Sequence, residues 1–203
     1  MRCSEAPLVT VEVDAAGVER RLGAGELACP GCGGRLARWG YARARSVRGS
    51  EGAVWVRPRR ARCVGCLSSH VLLPVSLLLR RADTVEVIGA ALAARAAGAG
   101  HRVIAQRLGR SAVTVRGWLR RFAGRLESVR SFFTVVMVRV GIDPVLPAAA
   151  GSVWGDAITA IGAAWQVVGR RFGVGTATVW QSACAVSGGG LLSPSWPPTG
   201  PGW

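Results

Sequence analysis

The chain has 203 residues, half of them apolar, and a formal net charge of +15. The apolar share allows a real core and excludes a chain disordered throughout, and the length suits one large or two small domains. The charge favours a polyanion, DNA or RNA before an anionic membrane, because the arginines are not confined to one amphipathic helix.

All 26 basic residues are arginine, and neither lysine nor asparagine occurs. Both missing types have A-rich codons, so a GC-rich genome accounts for part of the bias. The excess over eleven acids is unevenly placed: 14 arginines lie in residues 1–83, nine in 84–130 and three beyond. The first residues lack an apolar run of signal-peptide length. "VLLPVSLLL", Val71 to Leu79, is too short to span a bilayer, and Pro144 to Gly169 is broken by prolines, glycines and small residues. The expectation is a cytoplasmic, nucleoid-associated protein without a membrane. In that reducing compartment, cysteines paired by spacing read as metal ligands before disulfides.

"LVTVEV", Leu8 to Val13, alternates and predicts a strand. From Ala28 to Pro74 strands and turns follow. "RLARWGYARAR" and "AVWVRPRRARC" flank the polar loop "SVRGSEG", predicting a β-hairpin with a long tip, and Pro58 then needs an edge or a bulge. At the hairpin's base stand two C-x-x-C pairs, Cys29–Cys32 and Cys63–Cys66. A tight turn points two thiolates to one side, and two such turns complete a tetrahedron for Zn²⁺. Gly31 and Gly33 suit the first turn. This is the zinc-ribbon plan, although the 30 residues between Cys32 and Cys63 exceed the common spacing of about 15–20. Four thiolates close the coordination sphere, so the ion is expected to be structural. A redox dithiol is the alternative, but the βαβ context it needs is missing. Cys3 and Cys184 read as single thiols, and His70, four residues after Cys66, could compete as a ligand but with four cysteines present reads as a surface or strand-edge residue.

At Arg81 the period changes to that of helices. Asp83 as N-cap with Glu86 three residues later forms a capping box, Val85, Ile88 and Leu92 share a face, and "AGAG" ends the helix. "GHRVIAQRLGRSAVTVRGWLRRF", Gly100 to Phe122, then reads as two short helices hinged at Gly109, which supplies a positive φ. Ala105 allows close approach, Ile104 and Leu108 face inward, and Ser111 caps the second helix. Val115, Trp118, Leu119 and Phe122 form its buried stripe. This is the helix-turn-helix pattern. The candidate contacts to DNA follow from what the stripe leaves outside. Val113 and Thr114 could meet a thymine methyl, and Arg116 could reach guanine O6 and N7. Arg110 and Ser111 stand at the helix N-terminus, where a phosphate is favoured, and Arg102, Arg107, Arg120 and Arg121 suit phosphates. Arg59 and Arg60, with other ribbon arginines, would hold adjacent backbone. The alternative is an ordinary helical hairpin with a solvated basic face.

A charged continuation extends the helical pattern to about Phe133. Residues 134–156 read as a linker, 157–186 as a short helical region and 187–203 as an unstructured Gly/Pro/Ser-rich tail. "VVGRRFGVGTATVWQSA", from Val167, aligns without gaps on "VIAQRLGRSAVTVRGWL", from Val103, with five identities in 17. It suggests a degenerate second copy used for packing or dimerisation. The predicted fold class is α+β: a β zinc ribbon over 1–80, a helix-turn-helix domain over 81–133, then the partly helical C-terminal region.

A zinc ribbon followed by a helix-turn-helix resembles the N-terminal DNA-binding part of bacterial insertion-sequence transposases. "CVGCLSSHVLLP", "RRADTVEVIGAAL" and the Gly100–Phe122 run are similar to small transposase-like proteins of high-GC bacteria. The likeness covers about Ala28 to Phe133. It implies Cys29, Cys32, Cys63 and Cys66 as zinc ligands and the second helix as the reader. Such transposases also carry three separated acids that hold two metal ions. Downstream of the helix-turn-helix this chain offers only Glu127, Asp143 and Asp156, so no enzymatic activity of its own is expected. The function expected is sequence-specific binding of double-stranded DNA, as a regulator or a transposase-associated protein. That reading admits a homodimer and a recombinase or transposase partner. The alternatives are a truncated transposase or recombinase subunit working with a catalytic partner, and an RNA-binding or interaction module.

Overall fold

The computed structural model describes residues 8–173, 175 and 177–196. Strand β1 (Val9–Val11) is shorter than predicted, because Asp14 starts a helix soon after it. The Asp14 carboxylate accepts from the N–H groups of Ala16 and Gly17, at 3.0 and 2.8 Å, and so satisfies two free donors of α1 (Ala15–Ala24). Gly25, at φ 74°, closes the helix. Val18 and Leu22, one turn apart, bury its inner face. The strand and turn signals around it did not reveal α1, although its cap, its i,i+4 apolar pair and its terminal glycine are all in the sequence.

The predicted hairpin forms as two successive ladders. Strand β2 (Leu36–Tyr41) pairs antiparallel with β5 (Arg59–Cys63), and β3 (Arg45–Arg48) pairs with β4 (Ala53–Val56). Pro58 has no N–H to give a ladder and stands at the kink between them, where its carbonyl accepts from Ala42 at 2.8 Å. Part of the expected loop is thus strand, and the tip closes by a Gly49 N–H bond to the Gly52 carbonyl at 2.6 Å. The second ladder accounts for the long interval between the cysteine pairs. Strand β6 (Ser69–Pro74) joins β5 antiparallel and β1 parallel, giving the order β1-β6-β5-β2. Leu36, Ala61 and Leu72 pack under this sheet with Val11, Val18, Leu22 and Leu27.

The remainder is helical: α2 (Val85–Ala96), α3 (His101–Leu108), α4 (Ala112–Ala123), α5 (Leu126–Val140), α6 (Val153–Phe172) and α7 (Val179–Val186). One core runs through all six, from Ile88 and Leu92 through Ile104, Trp118, Phe122, Phe133 and Ile161 to Trp180. The chain is therefore α+β, a small sheet with its cysteine cluster followed by a helical region.

Three expectations change. Thr84, not Asp83, occupies the N-cap of α2 and makes no side-chain cap bond, because the Asp83 carboxylate is drawn into ion pairs with Arg48 and Arg110. The segment expected as a linker holds the end of α5 and the start of α6, leaving residues 141–152 between them, since Met137 and Ala157 carry the core stripe onward. The part of the tail within the described residues is packed. Leu191, Leu192 and Trp196 are buried, Trp196 lies edge-on to Phe132 at 4.8 Å, and Arg81 donates to the Leu192 carbonyl at 3.0 Å. Arg125 donates to the carbonyls of Ser193 and Pro194. Gly/Pro-rich composition forbids a helix there, but not burial. Residues 197–203 and Cys3 lie outside the described residues.

Candidate metal centre and nucleic-acid interface

Each cysteine pair begins a turn with the same hydrogen bonds. Cys29 N–H donates to the Gly34 carbonyl at 2.7 Å and its carbonyl accepts from Gly33 at 2.8 Å. Cys63 N–H donates to the Ser68 carbonyl at 2.9 Å and its carbonyl accepts from Leu67 at 3.1 Å. The fourth residue after each first cysteine is left-handed, Gly33 at φ 72° and Leu67 at φ 62°. The sequence pointed to the glycine and gave no hint of the leucine. A side chain at Gly34 would meet the Cys63 and Cys32 sulfurs at 3.0 and 3.3 Å, so this position must stay bare.

These turns bring the four sulfurs together. Cys29 Sγ lies 3.7 Å from Cys66 Sγ and Cys32 Sγ lies 3.4 Å from Cys63 Sγ, and all four are within 4.8 Å of one another. Sulfurs this close fit a tetrahedral ion at an M–S distance of about 2.3 Å. Among the described residues no other group of three or more His, Cys, Asp or Glu side chains is gathered for a metal. Hydrogen bonds from the Ser68 side chain and backbone, with one from Cys32, lower the Cys66 thiol to about 6. At Cys32 the Gly34 backbone N–H favours the thiolate, but the thiols of Cys63 and Cys66 outweigh it and push the group up to about 12. Four crowded sulfurs cannot all ionise without a cation between them.

His70 is not the surface residue expected. It is buried on β6, with Nε2 3.4 Å from Cys29 Sγ, beside the cluster rather than in it. Cys184 is buried and donates its thiol to the Leu77 carbonyl at 3.1 Å, and burial pushes its pKa up to about 12.

The helix-turn-helix residues fall where the spacing put them. Gly109 ends α3 at φ 60°, and Ser111 caps α4 by accepting from Thr114 N–H at 3.2 Å. Ile104, Ala105, Val115, Trp118, Leu119 and Phe122 are buried. Outside the stripe, Val113 is 82% exposed, and Arg116, Arg120 and Arg121 are exposed along α4. Arg102 is exposed at the start of α3, and Thr114 is half-buried with Oγ1 2.8 Å from Ser111 Oγ.

Three arginines expected at DNA point elsewhere. The Arg110 guanidinium is 13% exposed: Nε donates to Asp83 at 2.6 Å, Nη2 to the Gly49 carbonyl at 2.7 Å and Nη1 to the Leu108 carbonyl at 3.0 Å. Arg48 meets the other Asp83 oxygen at 2.7 Å. This clamp joins the hairpin tip to the helix-turn-helix, and Arg110 has little left for a phosphate. Arg59, also 13% exposed, is held by Glu19 at 2.5 Å and the Gly40 carbonyl at 2.6 Å. Arg60 reaches Ser69 Oγ at 3.2 Å. No local signal marks these commitments, because apart from the Leu108 carbonyl the partners lie nine to 61 residues away along the chain.

The chain matches the homeodomain-like domain family over residues 81–130. The matched span takes in α2, α3, α4 and the start of α5. No curated protein and no solved structure matches the chain. Within this homeodomain-like unit, α4 is the second helix of the helix-turn-helix. The internal echo is visible but altered. Gly173 ends α6 at φ 59°, as Gly109 ends α3, yet the cap of α7 is Thr178, five residues on rather than two, and Trp180 is buried against α2. Among the described residues no helix is long and apolar enough to cross a membrane.

Proposed function

We propose that the protein binds double-stranded DNA in a sequence-specific manner, with α4 entering the major groove and a structural Zn²⁺ held by Cys29, Cys32, Cys63 and Cys66. The observation that carries this reading is the division of α4 within a homeodomain-like span. One face is sealed by Val115, Trp118, Leu119 and Phe122, and the other offers Val113, Arg116, Arg120 and Arg121 to solvent. Arg116 is the candidate for guanine, Val113 and Thr114 for a thymine methyl. Arg102, Arg120, Arg121 and the Ser111 end of the helix are the candidates for phosphate. The closed four-sulfur geometry supports zinc in a folding role rather than a catalytic one.

The role is that of a transcriptional regulator or of the DNA-binding component of a mobile element, working in the cytoplasm at the nucleoid, with a second copy or a recombinase as protein partner. Two of the three acids downstream of the helix-turn-helix are in structural use, which supports a protein without strand-transfer chemistry of its own. Glu127 pairs with Arg130 at 2.5 Å, and Asp156 accepts from the Ala150 N–H at 2.6 Å.

Selection of bound duplexes from a random pool tests the proposal. An enriched site is expected, with Arg116→Ala relaxing its preference at one position by about 1–3 kcal/mol and Arg102→Ala weakening all sequences alike. A pool that stays random after repeated rounds, with zinc-loaded and folded protein, would defeat the assignment.

A further inference from the structure

The hairpin of the ribbon carries an unusual surface that reading of a duplex by α4 leaves unused. Among the described residues four large aromatic side chains are exposed, and three of them, Trp39, Tyr41 and Trp55, are on this hairpin. Trp55 is the extreme, 75% exposed. Guanidinium groups interleave with the rings: Arg62 lies 4.6 Å from the Trp39 centroid, and Arg57 and Arg59 lie 4.8 and 4.4 Å from that of Tyr41. Between Arg35 and Arg62 the chain holds nine arginines and a single acid, Glu51. Tyr41, Trp55 and Arg57 line a groove of about 320 Å³ whose walls include Val54 and Leu72. The carboxylates at its edge are already neutralised, Glu12 by Arg21 at 2.7 Å and Glu19 by Arg38 at 2.9 Å and by Arg59.

Exposed rings alone would suit an apolar partner. Rings set among this many cations suit a polyanion with free π faces. Duplex DNA does not qualify, because its base faces are covered by their neighbours in the stack. Single strands present both charges and faces, and proteins that take them combine a basic track with aromatic platforms. Stacking on guanidinium planes serves the same purpose, so the Arg57–Tyr41 pair can continue a stack outward.

We propose that the β2–β5 hairpin is a binding surface for single-stranded nucleic acid, with Trp55 as its principal stacking platform, Trp39 and the Arg57–Tyr41 pair as further ones, and Arg43 on the phosphates. This surface is separate from α4 and does not rest on the duplex reading.

Fluorescence anisotropy of the full, zinc-loaded chain tests it, using labelled single-stranded DNA of mixed sequence, the same sequence as RNA, and the matching blunt duplex, at one physiological salt concentration. Both single strands are expected to bind more tightly than the random duplex. Trp55→Ala should weaken single strands by about tenfold or more and Trp55→Phe far less, as expected for loss of one stacked base. The Trp55 side chain is outside the core, and equal zinc content and circular dichroism of the variant will exclude misfolding. A tighter complex with RNA than with DNA assigns the surface to RNA, and the reverse to displaced DNA strands. Single strands that bind no better than the random duplex, or that ignore Trp55→Ala, overturn the inference. Loss of site selection with single-strand binding intact would defeat the duplex proposal alone.

Discussion

Leu67 adopts a left-handed backbone at φ 62° with its side chain 59% exposed, in the turn where the first cysteine pair uses Gly33. That conformation costs a residue with a Cβ roughly 1–2 kcal/mol, while glycine loses roughly 0.5–1 kcal/mol more chain entropy on folding. Leu67→Gly should therefore stabilise the metal-loaded protein by about 0.5–1 kcal/mol, a rise of about 2 °C in Tm by calorimetry. A fall in Tm would mean that the exposed leucine contributes packing its accessibility does not suggest. The Asp83 clamp poses the opposite case. Asp83 and Arg110 are nearly buried, whereas Arg48 is half-exposed. Removing Asp83 strands a buried guanidinium, so Asp83→Ala should cost about 3 kcal/mol in urea denaturation. Arg48→Ala should cost less than about 1 kcal/mol, as water screens that pair. Equal costs would show that the burial difference does not control the energetics.

At the scale of elements, α7 docks on α2 through the Trp180 ring and through Thr178 at its N-cap, whose hydroxyl donates to Glu86. The Trp180 ring lies over Gly89, and a Cβ built there would fall 2.1 Å from the ring. Alanine is the better helix former by about 1 kcal/mol, so on an exposed helix Gly89→Ala would stabilise. Here overpacking should win, with a net loss of about 2 kcal/mol and weakened docking of α7, read by hydrogen exchange in residues 179–186. Slower exchange there would contradict the packing. This contrast explains how much the sequence discloses. The spacing of Gly109, Ser111, Val115 and Trp118 made α3 and α4 legible, because cap, turn and stripe are encoded within one short run. The four cysteines were legible for the same reason, since each turn is local and only the hairpin must join them. Asp83 reads as a cap from its neighbours, yet it pairs with Arg110, 27 residues away. The described part of the tail reads as unstructured and is packed, because Trp196 finds its place against Phe132, which nothing near Trp196 encodes. Nothing beside Arg59 encodes its pairing with Glu19 on α1.

At the scale of the molecule, two main cores of unequal size are joined by several links, among them Arg110 on the Gly49 carbonyl, Arg48 on Asp83 and Thr10 on the Ala185 carbonyl. The ribbon core is small and includes Cys29 and Cys63, whereas the helical core extends from Leu78 to Trp196. With zinc bound as proposed, a core as small as the ribbon's would depend on it. Chelation should therefore release amide protection across the strands and α1 while α2 to α7 keep theirs and most of the helical circular dichroism persists. Uniform loss across both cores would show that the links between them make one cooperative unit. The pH dependence of ligation follows from the thiols. At neutral pH Cys66, lowered to about 6 chiefly by Ser68, is already a thiolate. Cys32, raised to about 12 by its neighbouring thiols despite the Gly34 hydrogen bond, is protonated and must release its proton to bind. Each proton released on binding makes the affinity rise about tenfold per pH unit. Zinc affinity, measured against a chromophoric chelator, should thus strengthen at least about tenfold from pH 7 to 8. It should weaken more steeply below about pH 6, where Cys66 too begins to carry a proton. A flat profile over that interval would mean that the four sulfurs are not the ion's ligands.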